Sequence, residues 1–488
     1  MKELESEWKT SSLEWWMLAV IIVLAKPFSD LHALLGTAIW LGAVFVFIFT
    51  GPIKRSLLFV MAFIVYYQQS VWYILDDVPL TIYEIEFVHF KPVEIIYGMI
   101  FLKSIFLGMK FVKLPKGLLI VLGLWIFCIS NGVSISLYNQ NKIYDMFIFS
   151  EFRTLCWSFL LLIVFFNFCK QQYLWVVKSF IILVAVKCVV TIPDYLGLFS
   201  LLWPASIANY SGSVSAFFGG DPDVLVVCMA YSIIFAMLVV PKISDKMVPV
   251  FSHNWTWILA GIFLFTIVLS LRRGGIMAAF ISMGILMCFS NFKVKLGFFI
   301  FSILGLSYVA VDIAGDLKTL PGPVYAMTDR FTGKGKVAKS NLGHVLDIKD
   351  GIREINEYFW LGKGVGARML SFRAAEVHGA EVHSSILVHQ NVLHTWLKYG
   401  LIGVVAYFLT FFVPLLTVVK FRGPYKGIDI AIMLGAGSFL ISRLLWAFLT
   451  PPFFQTLRVN FLVFMAVFLL YASLDGAIRD RKKLPVSV

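Results

Sequence analysis

The sequence predicts an all-α, polytopic membrane protein, and three observations support that prediction. Of its 488 residues, 60% are hydrophobic and only 14% are charged, whereas soluble domains are about a quarter charged. The mean hydropathy is +0.86. Apolar runs of about 20 residues recur along the chain, and a helix of that length crosses about 30 Å of hydrocarbon. These observations exclude a soluble enzyme, a single-anchor protein and an outer-membrane barrel, whose strands alternate in stretches of about ten residues.

The apolar runs, bounded by charges or by Pro and Gly, predict about fourteen transmembrane helices. Residues 1–312 would hold the first eleven, and 400–488 the last three and a cytoplasmic tail. Between them, residues 313–399 would form one large extracytoplasmic loop. The predicted spans are 12–26, 31–50, 56–75, 93–109, 117–130, 153–168, 174–193, 222–240, 255–271, 274–290, 295–312, 400–419, 428–448 and 459–475.

The basic residues predict the orientation of these spans. They give a net charge of +13, but they are scattered over short loops, which is typical of cytoplasmic positive loops rather than of nucleic-acid binding. They fall on alternate loops, so those loops and both termini should be cytoplasmic. These groups are Lys54–Arg55, Lys110–Lys116, Lys242–Lys246, Lys293–Lys295, Lys420–Lys426 and Arg479–Lys483.

Cysteines and the N-terminus add two expectations. All six cysteines lie in or beside apolar runs, so no disulfide framework is expected. The N-terminal segment is too acidic for a signal peptide and has no small-residue cleavage site. The first predicted helix is therefore expected to stay in the mature protein.

The large loop has features of a folded segment. It carries five of the chain's eight histidines, and a loop of that length is usually functional or disordered. Apolar residues recur in it at helical spacing, which predicts short helices lying over the membrane. These residues are Val345, Ile348, Ile352, Ile355 and Phe359.

The first candidate site is Arg272-Arg273-Gly274-Gly275, between two apolar runs at the outer end of a span. Two arginines there oppose the positive-inside bias, and charge near the membrane interior marks a substrate or ion path. Guanidinium groups suit a diphosphate, which they grip with paired hydrogen bonds. The alternative is a short turn whose arginines reach lipid headgroups.

The second candidate is the histidine stretch 378–394, in which His389 directly precedes an apolar run. Histidine exchanges protons near neutral pH, so His389 is the best-placed catalytic residue and His383 a binding candidate. His378 and His394 are expected to be ordinary loop histidines. The histidine spacing does not place two ligands on one helix face, so neither a metal nor a cofactor is expected.

Further cations lie near a glycine turn, Leu361 to Arg368. No strand precedes this turn, which argues against a dinucleotide or phosphate loop. Nearby cations are candidates for binding phosphate or sugar hydroxyls, and solvated loop charges are the alternative; they are Arg353, Lys363, Arg368 and Arg373. Arg153 and Arg443 lie inside apolar stretches and are site candidates for that reason. Asp221 is either a partner for such an arginine or a helix cap.

The segment His389-Gln390-Asn391-Val392-Leu393, followed by Gly400-Leu401-Ile402-Gly403, resembles the His-Asn-x-x-Leu…Gly-Leu-x-Gly signature of the O-antigen ligase and polymerase superfamily. The Gly362–Gly366 turn is similar to that family's Gly-x-Gly element, and Arg272–Gly275 to its Ser-Arg-Gly motif. Gln390 stands where the family usually has Asn. His344 stands near the position of an expected loop arginine, for which Arg330, Arg353 and Arg368 are the alternatives.

This resemblance implies a glycosyltransferase at the periplasmic side of a bacterial inner membrane. The donor would be an oligosaccharide on undecaprenyl diphosphate, and transfer would invert the anomeric carbon without a metal. The first expectation is a polymerase of lipid-linked repeat units into O-antigen or exopolysaccharide, with a chain-length regulator as a possible partner. A ligase that moves the glycan onto lipid A core is the nearest alternative. A flippase or transporter of lipid-linked oligosaccharide is an alternative of another class.

Overall fold

A computed structural model describes most of the helical part of the chain. The residues that it describes are 11–12, 14–20, 42–66, 92–109, 114–141, 151–195, 206–207, 216–217, 221–240, 250–270, 273–290, 295, 336–371, 383–385, 390–421, 427–448 and 457–483. For some residues at the ends of helices and strands, the description covers the backbone alone.

The described elements are helices and two very short hairpins. The helices are α1 (Ile53–Tyr66), α2 (Pro92–Phe106), α3 (Lys116–Tyr138), α4 (Glu151–Phe168), α5 (Tyr173–Tyr195), α6 (Asp221–Val239), α7 (His253–Leu269), α8 (Arg273–Met287), α9 (Lys336–Glu357), α10 (Asn391–Val419), α11 (Ile428–Trp446) and α12 (Leu457–Lys483), preceded by a π-helix at Phe45–Phe49. The strands are β1 (Ser206–Ile207), β2 (Ala216–Phe217), β3 (Met369–Ser371) and β4 (His383–Ser385). Both pairs are antiparallel, β1 with β2 and β3 with β4.

The structure confirms a helical membrane protein at a coarse level. Within the described ranges, five helices are long and apolar enough to cross a membrane: α3, α5, α10, α11 and α12. The count of fourteen spans stays a prediction. Parts of the predicted spans lie outside the described residues, among them 13 and 21–26 of the span 12–26, 31–41 of the span 31–50, and 296–312 of the span 295–312.

Helix α11 lies at the centre of the bundle. It packs against α6, α8 and α12, while α3 packs against α10 and is the least enclosed of the five long helices. Three buried serines join the central helices: the Ser282 hydroxyl lies 2.7 Å from those of both Ser232 and Ser438. In a membrane the lipid is as apolar as leucine, so helices associate through close packing and hydrogen bonds between them. Small hydroxyl residues such as serine permit both.

Two polar contacts fix one end of the bundle, which we name the lysine end. The Tyr173 hydroxyl donates to the Asp429 carboxylate, joining the starts of α5 and α11. Lys170 forms a 2.5 Å ion pair with Asp475 of α12. The starts of α5 and α11 and the last third of α12 therefore lie together, and α4 ends beside them. The start of α4, with Arg153, lies at the opposite end.

Helix α10 extends beyond the predicted span. The apolar run predicted a span from residue 400, and α10 consists of two helices joined at a break at Gly400, the first of which begins at Asn391. The Gln390 side chain caps it by accepting a 2.5 Å hydrogen bond from the Leu393 amide. The expectation that His394 is a loop histidine is accordingly wrong, because His394 lies buried in the first turns of α10. Hydropathy missed these turns because their buried face is polar.

Candidate functional site

Three segments that the sequence singles out meet at the end of the bundle away from the lysine end, which we name the site end. At the start of α8, a Cβ added to Gly274 would lie 2.0 Å from the Trp446 indole nitrogen, so α8 and α11 are in close contact. The Asn391 amide donates to the Ala447 carbonyl at 3.3 Å, which joins α10 to the end of α11. The start of α8 at Gly274, the start of α10 at Asn391 and the last turn of α11 are therefore neighbours.

A fourth segment joins this group through α6. A Cβ added to Gly275 would lie 2.2 Å from a methyl of Val224, and the Cys228 thiol lies 3.5 Å from the Gly275 carbonyl. The first turn of α6 begins at Asp221, so Asp221 starts a helix at the site end. The side chain of Asp221 lies outside the described part of the structure.

The site end brings together three helix N-termini and a buried arginine. The N-termini of α6, α8 and α10 converge there, and a helix N-terminus carries a partial positive charge. In α10 the Asn391 and Leu393 amides already donate to the Ala447 carbonyl and to the Gln390 side chain. Arg443 adds a full charge in the last turn of α11; its guanidinium is buried and lies 5.9 Å from the centre of the Trp446 ring. This arrangement favours an anion, and sequence places Arg272 and Arg273 at the start of α8.

The glycine turn inserts into a break in α10. Gly400 has φ +67° and ψ −167°, so the helical ladder is interrupted there. The carbonyls of Leu397 and Lys398 accept instead from the amides of Lys363 at 2.6 Å and Gly364 at 3.2 Å. In return, the Leu401 amide donates to the Phe359 carbonyl at 3.0 Å. The turn therefore replaces the hydrogen bonds that the helix loses.

The same turn is held by two neighbouring side chains and by α3. The Ser136 hydroxyl donates to the Val365 carbonyl, and the Val365 amide donates to the Gly132 carbonyl at 3.2 Å. Lys398, only 2% exposed, donates through its ammonium to the Ala367 carbonyl. We call Tyr358–Ala367, held in this way between α3 and α10, the clamped turn.

Sequence reasoning missed a buried polar face on α10. Asn391, His394, Thr395 and Lys398 are all buried, and their spacing places them on one side of the helix. A polar face turned inward at the end of a membrane helix is costly unless it is hydrogen-bonded or functional. The spacing of these four polar residues, at i, i+3, i+4 and i+7, is the pattern that could have predicted this face. It was missed because residues up to 399 were assigned to a loop.

The predicted site residues are distributed unevenly over the described part. Lys363 forms a 2.7 Å ion pair with Glu354 of α9 and donates to the Arg368 carbonyl at 2.9 Å. The Glu354 carboxylate therefore largely neutralises the charge of Lys363. Arg353 and Arg368 have exposed side chains. Gln390 caps α10 and Arg443 is buried at the site end.

For the other predicted residues, the structure gives the backbone or nothing. The backbone places Arg153 in α4, Asp221 in α6, Arg273 in α8, His344 in α9 and His383 in β4, opposite Ser371. The predicted residues that lie outside the described residues are Arg272, Arg330, Arg373 and His389. Their predicted roles stay predictions.

In the described part of the protein, no group of three or more His, Cys, Asp or Glu residues is arranged to hold a metal ion. Because His378 and His389 lie outside it, the expectation of metal-free chemistry stays a prediction.

Comparison with known proteins gives no family: no protein-family model and no curated protein sequence matches this chain. The function is therefore argued from the residues themselves.

Proposed function

We propose that the protein is a polymerase that joins oligosaccharide repeat units carried on undecaprenyl diphosphate. Its product would be an O-antigen or exopolysaccharide chain. The reaction would take place at the periplasmic face of a bacterial inner membrane, with the site end facing the periplasm. About fourteen spans, a large periplasmic loop over 313–399 and cytoplasmic termini belong to the same proposal.

One observation supports it best: the Gly274–Trp446 and Asn391–Ala447 contacts bring two widely separated motifs to one end of the bundle. The first motif carries Arg272 and Arg273, and the second carries His389 directly before the cap of α10. Cations and a proton-transfer residue are the two elements that transfer from a sugar diphosphate needs.

The positive end of the bundle would bind the donor diphosphate. Arginine guanidinium groups match phosphate oxygens with paired hydrogen bonds. The N-termini of α6 and α8 would add amide donors, and all three N-termini would add partial positive charge. Arg272 and Arg273 would stabilise the negative charge that develops on the diphosphate as the sugar leaves. No nucleotide is needed, because the bond to the diphosphate already supplies the driving force.

The transfer itself would proceed by direct displacement. A hydroxyl of the acceptor glycan attacks the anomeric carbon of the donor sugar, and His389 takes the hydroxyl proton. The bond between the anomeric carbon and the diphosphate oxygen breaks, and undecaprenyl diphosphate leaves with the electron pair. A new glycosidic bond of inverted configuration forms, and the acceptor stays attached to its own lipid diphosphate.

The decisive experiment uses purified protein in nanodiscs, a synthetic polyprenyl-diphosphate oligosaccharide, and a metal chelator. We expect a ladder of longer lipid-linked glycans, which disappears in His389→Ala and Arg273→Ala. Gly284→Ala is the matched control on α8, because its added methyl group would meet nothing within 4 Å, and it should keep the ladder.

Other outcomes redirect the assignment. Transfer only after lipid A core is added would identify a ligase in place of a polymerase. Movement of the lipid-linked glycan between leaflets without bond formation would identify a transporter. A ladder that requires added divalent metal would contradict the metal-free mechanism.

A further inference from the structure

Helix α9 turns part of its apolar stripe outward. Val345 is 49% exposed and Ile352 is 47% exposed, whereas Leu346 and Ile355 are buried on the protein side together with Asp350, which is 3% exposed. The exposed polar residues of the helix lie on the same outward side or beside it; they are Lys349, Arg353, Asn356 and Glu357. An amphipathic helix in water buries its large apolar side chains, so Val345 and Ile352 form an apolar strip that the described part of the protein does not cover.

Basic residues border this apolar face. Lys349 and Arg353 are exposed on α9, and the helical spacing places both on one flank of the Val345–Ile352 side. An apolar face with a lysine and an arginine along its edge is typical of a helix that lies in a membrane interface, where the cations meet anionic headgroups.

The apolar surface continues past the end of α9. Trp360 is 67% exposed and Leu361 is exposed beside it, in the clamped turn. The amide of the Asn139 side chain donates to the Lys363 carbonyl at 3.3 Å, which places this turn at the end of α3 next to Tyr138, itself 87% exposed. Exposed Trp and Tyr side chains together mark the headgroup level of a bilayer.

The length of α3 sets the depth of this surface. Its 23 residues make a helix about 34 Å long, which matches about 30 Å of hydrocarbon with its two ends in the interfaces. With Lys116 at one interface, Tyr138 reaches the other. Trp360 and Leu361, which the Asn139 contact holds beside Tyr138, then lie at headgroup depth as well.

We propose that the outward face of α9, with Trp360 and Leu361, is a membrane-binding surface that inserts into the headgroup region of the leaflet at the site end. Val345 and Ile352 enter the acyl boundary, and Lys349 and Arg353 contact anionic lipid phosphates. This surface fixes the height of the clamped turn above the bilayer. The inference does not depend on the proposed reaction and holds equally for an inactive protein.

Spin labels on α9 test the proposal. Single cysteines replace Ile352 and, as the matched control, Glu357, which is also exposed and lies beyond Arg353, about 140° around the helix from Ile352. The exposed Cys156 and Cys288 are first changed to serine; the other four cysteines are buried. The full-length variants are placed in nanodiscs of phosphatidylethanolamine and phosphatidylglycerol, and collision rates with oxygen and with a water-soluble nickel chelate are measured.

We expect oxygen to dominate at Ile352→Cys and the chelate to dominate at Glu357→Cys, with a several-fold difference in the ratio of the two rates. Equal chelate access at both positions would mean that the face lies in water, and would overturn the proposal. Exclusion of both reagents at Ile352→Cys would mean that protein covers it, which would overturn it too. Exchanging phosphatidylglycerol for phosphatidylcholine should lower the ratio at Ile352→Cys; no change would refute the part assigned to Lys349 and Arg353.

Discussion

Gly400→Ala should release the clamped turn from α10. The backbone at Gly400 has φ +67° and ψ −167°, a region that essentially only glycine occupies. An added methyl group would lie 2.1 Å from the Trp360 carbonyl oxygen and 2.5 Å from the Leu361 nitrogen. Both neighbours are backbone atoms, so a side-chain rotation does not relieve the clash. The turn and α10 must move apart.

The expected cost follows from two terms. Holding alanine in this backbone region costs about 1–3 kcal/mol. Separation also loses the hydrogen bonds of Lys363 to Leu397, Gly364 to Lys398 and Leu401 to Phe359, each worth about 0.5–1.5 kcal/mol. Because opening relieves the strain, these two terms are alternatives, and the strain together with the clash against Trp360 weakens the closed clamp by about 3 kcal/mol.

Hydrogen exchange measures this directly. The amides of Lys363, Gly364 and Leu401 should exchange at least about a hundredfold faster in Gly400→Ala, because each 1.4 kcal/mol of opening free energy is a factor of ten. Gly123→Ala on α3 is the control: its methyl group would meet nothing within 4 Å, and it should leave these amides unchanged. Unchanged protection in Gly400→Ala would refute the description of the turn as a plug in the helix break.

Three further changes test other contacts. Gly274→Ala should lower transferase activity at least about tenfold by displacing the start of α8, because misplacement of a catalytic group by about 1 Å costs that much or more. Gly284→Ala is the control and should keep full activity. Equal activity in the two variants would show that the start of α8 does not position the catalytic residues. Lys363→Met should lower the stability of the clamped turn by about 1–2 kcal/mol by removing the ion pair between Lys363 and Glu354. Adding Glu354→Gln should recover part of that loss, as measured by hydrogen exchange. Ser282→Val should lower the thermal midpoint in detergent, at a cost of about 1–3 kcal/mol for overpacking, and a midpoint equal to that of the wild type would contradict the tight serine contact.

Hydropathy predicted the helical membrane character because span length and apolar content are local properties of the sequence. Hydropathy did not predict the start of α10, because its polar residues are buried by contacts with segments distant in the sequence; these residues are Asn391, His394, Thr395 and Lys398. Hydropathy did not predict the orientation of α9 either. Periodicity showed that Val345 and Ile352 share a face, but only the fold shows that this face is exposed and that Asp350 is buried. The glycines of the Gly362–Gly366 turn were visible in the sequence, but the break in α10 that they contact could not be predicted from it.

The break at Gly400 explains how a loop distant in sequence is tied to the membrane helices. A continuous α10 would satisfy its own carbonyls and leave the 358–367 turn without acceptors at Leu397 and Lys398. Because the helix is broken, the turn and α10 depend on each other, and α3 joins them through Gly132 and Ser136. The turns of α10 before the break also begin beside Ala447 at the site end. A displacement of the clamped turn therefore displaces the first turns of α10, and with them the segment that carries His389, so substitutions at the break should reduce activity without touching a substrate-binding residue.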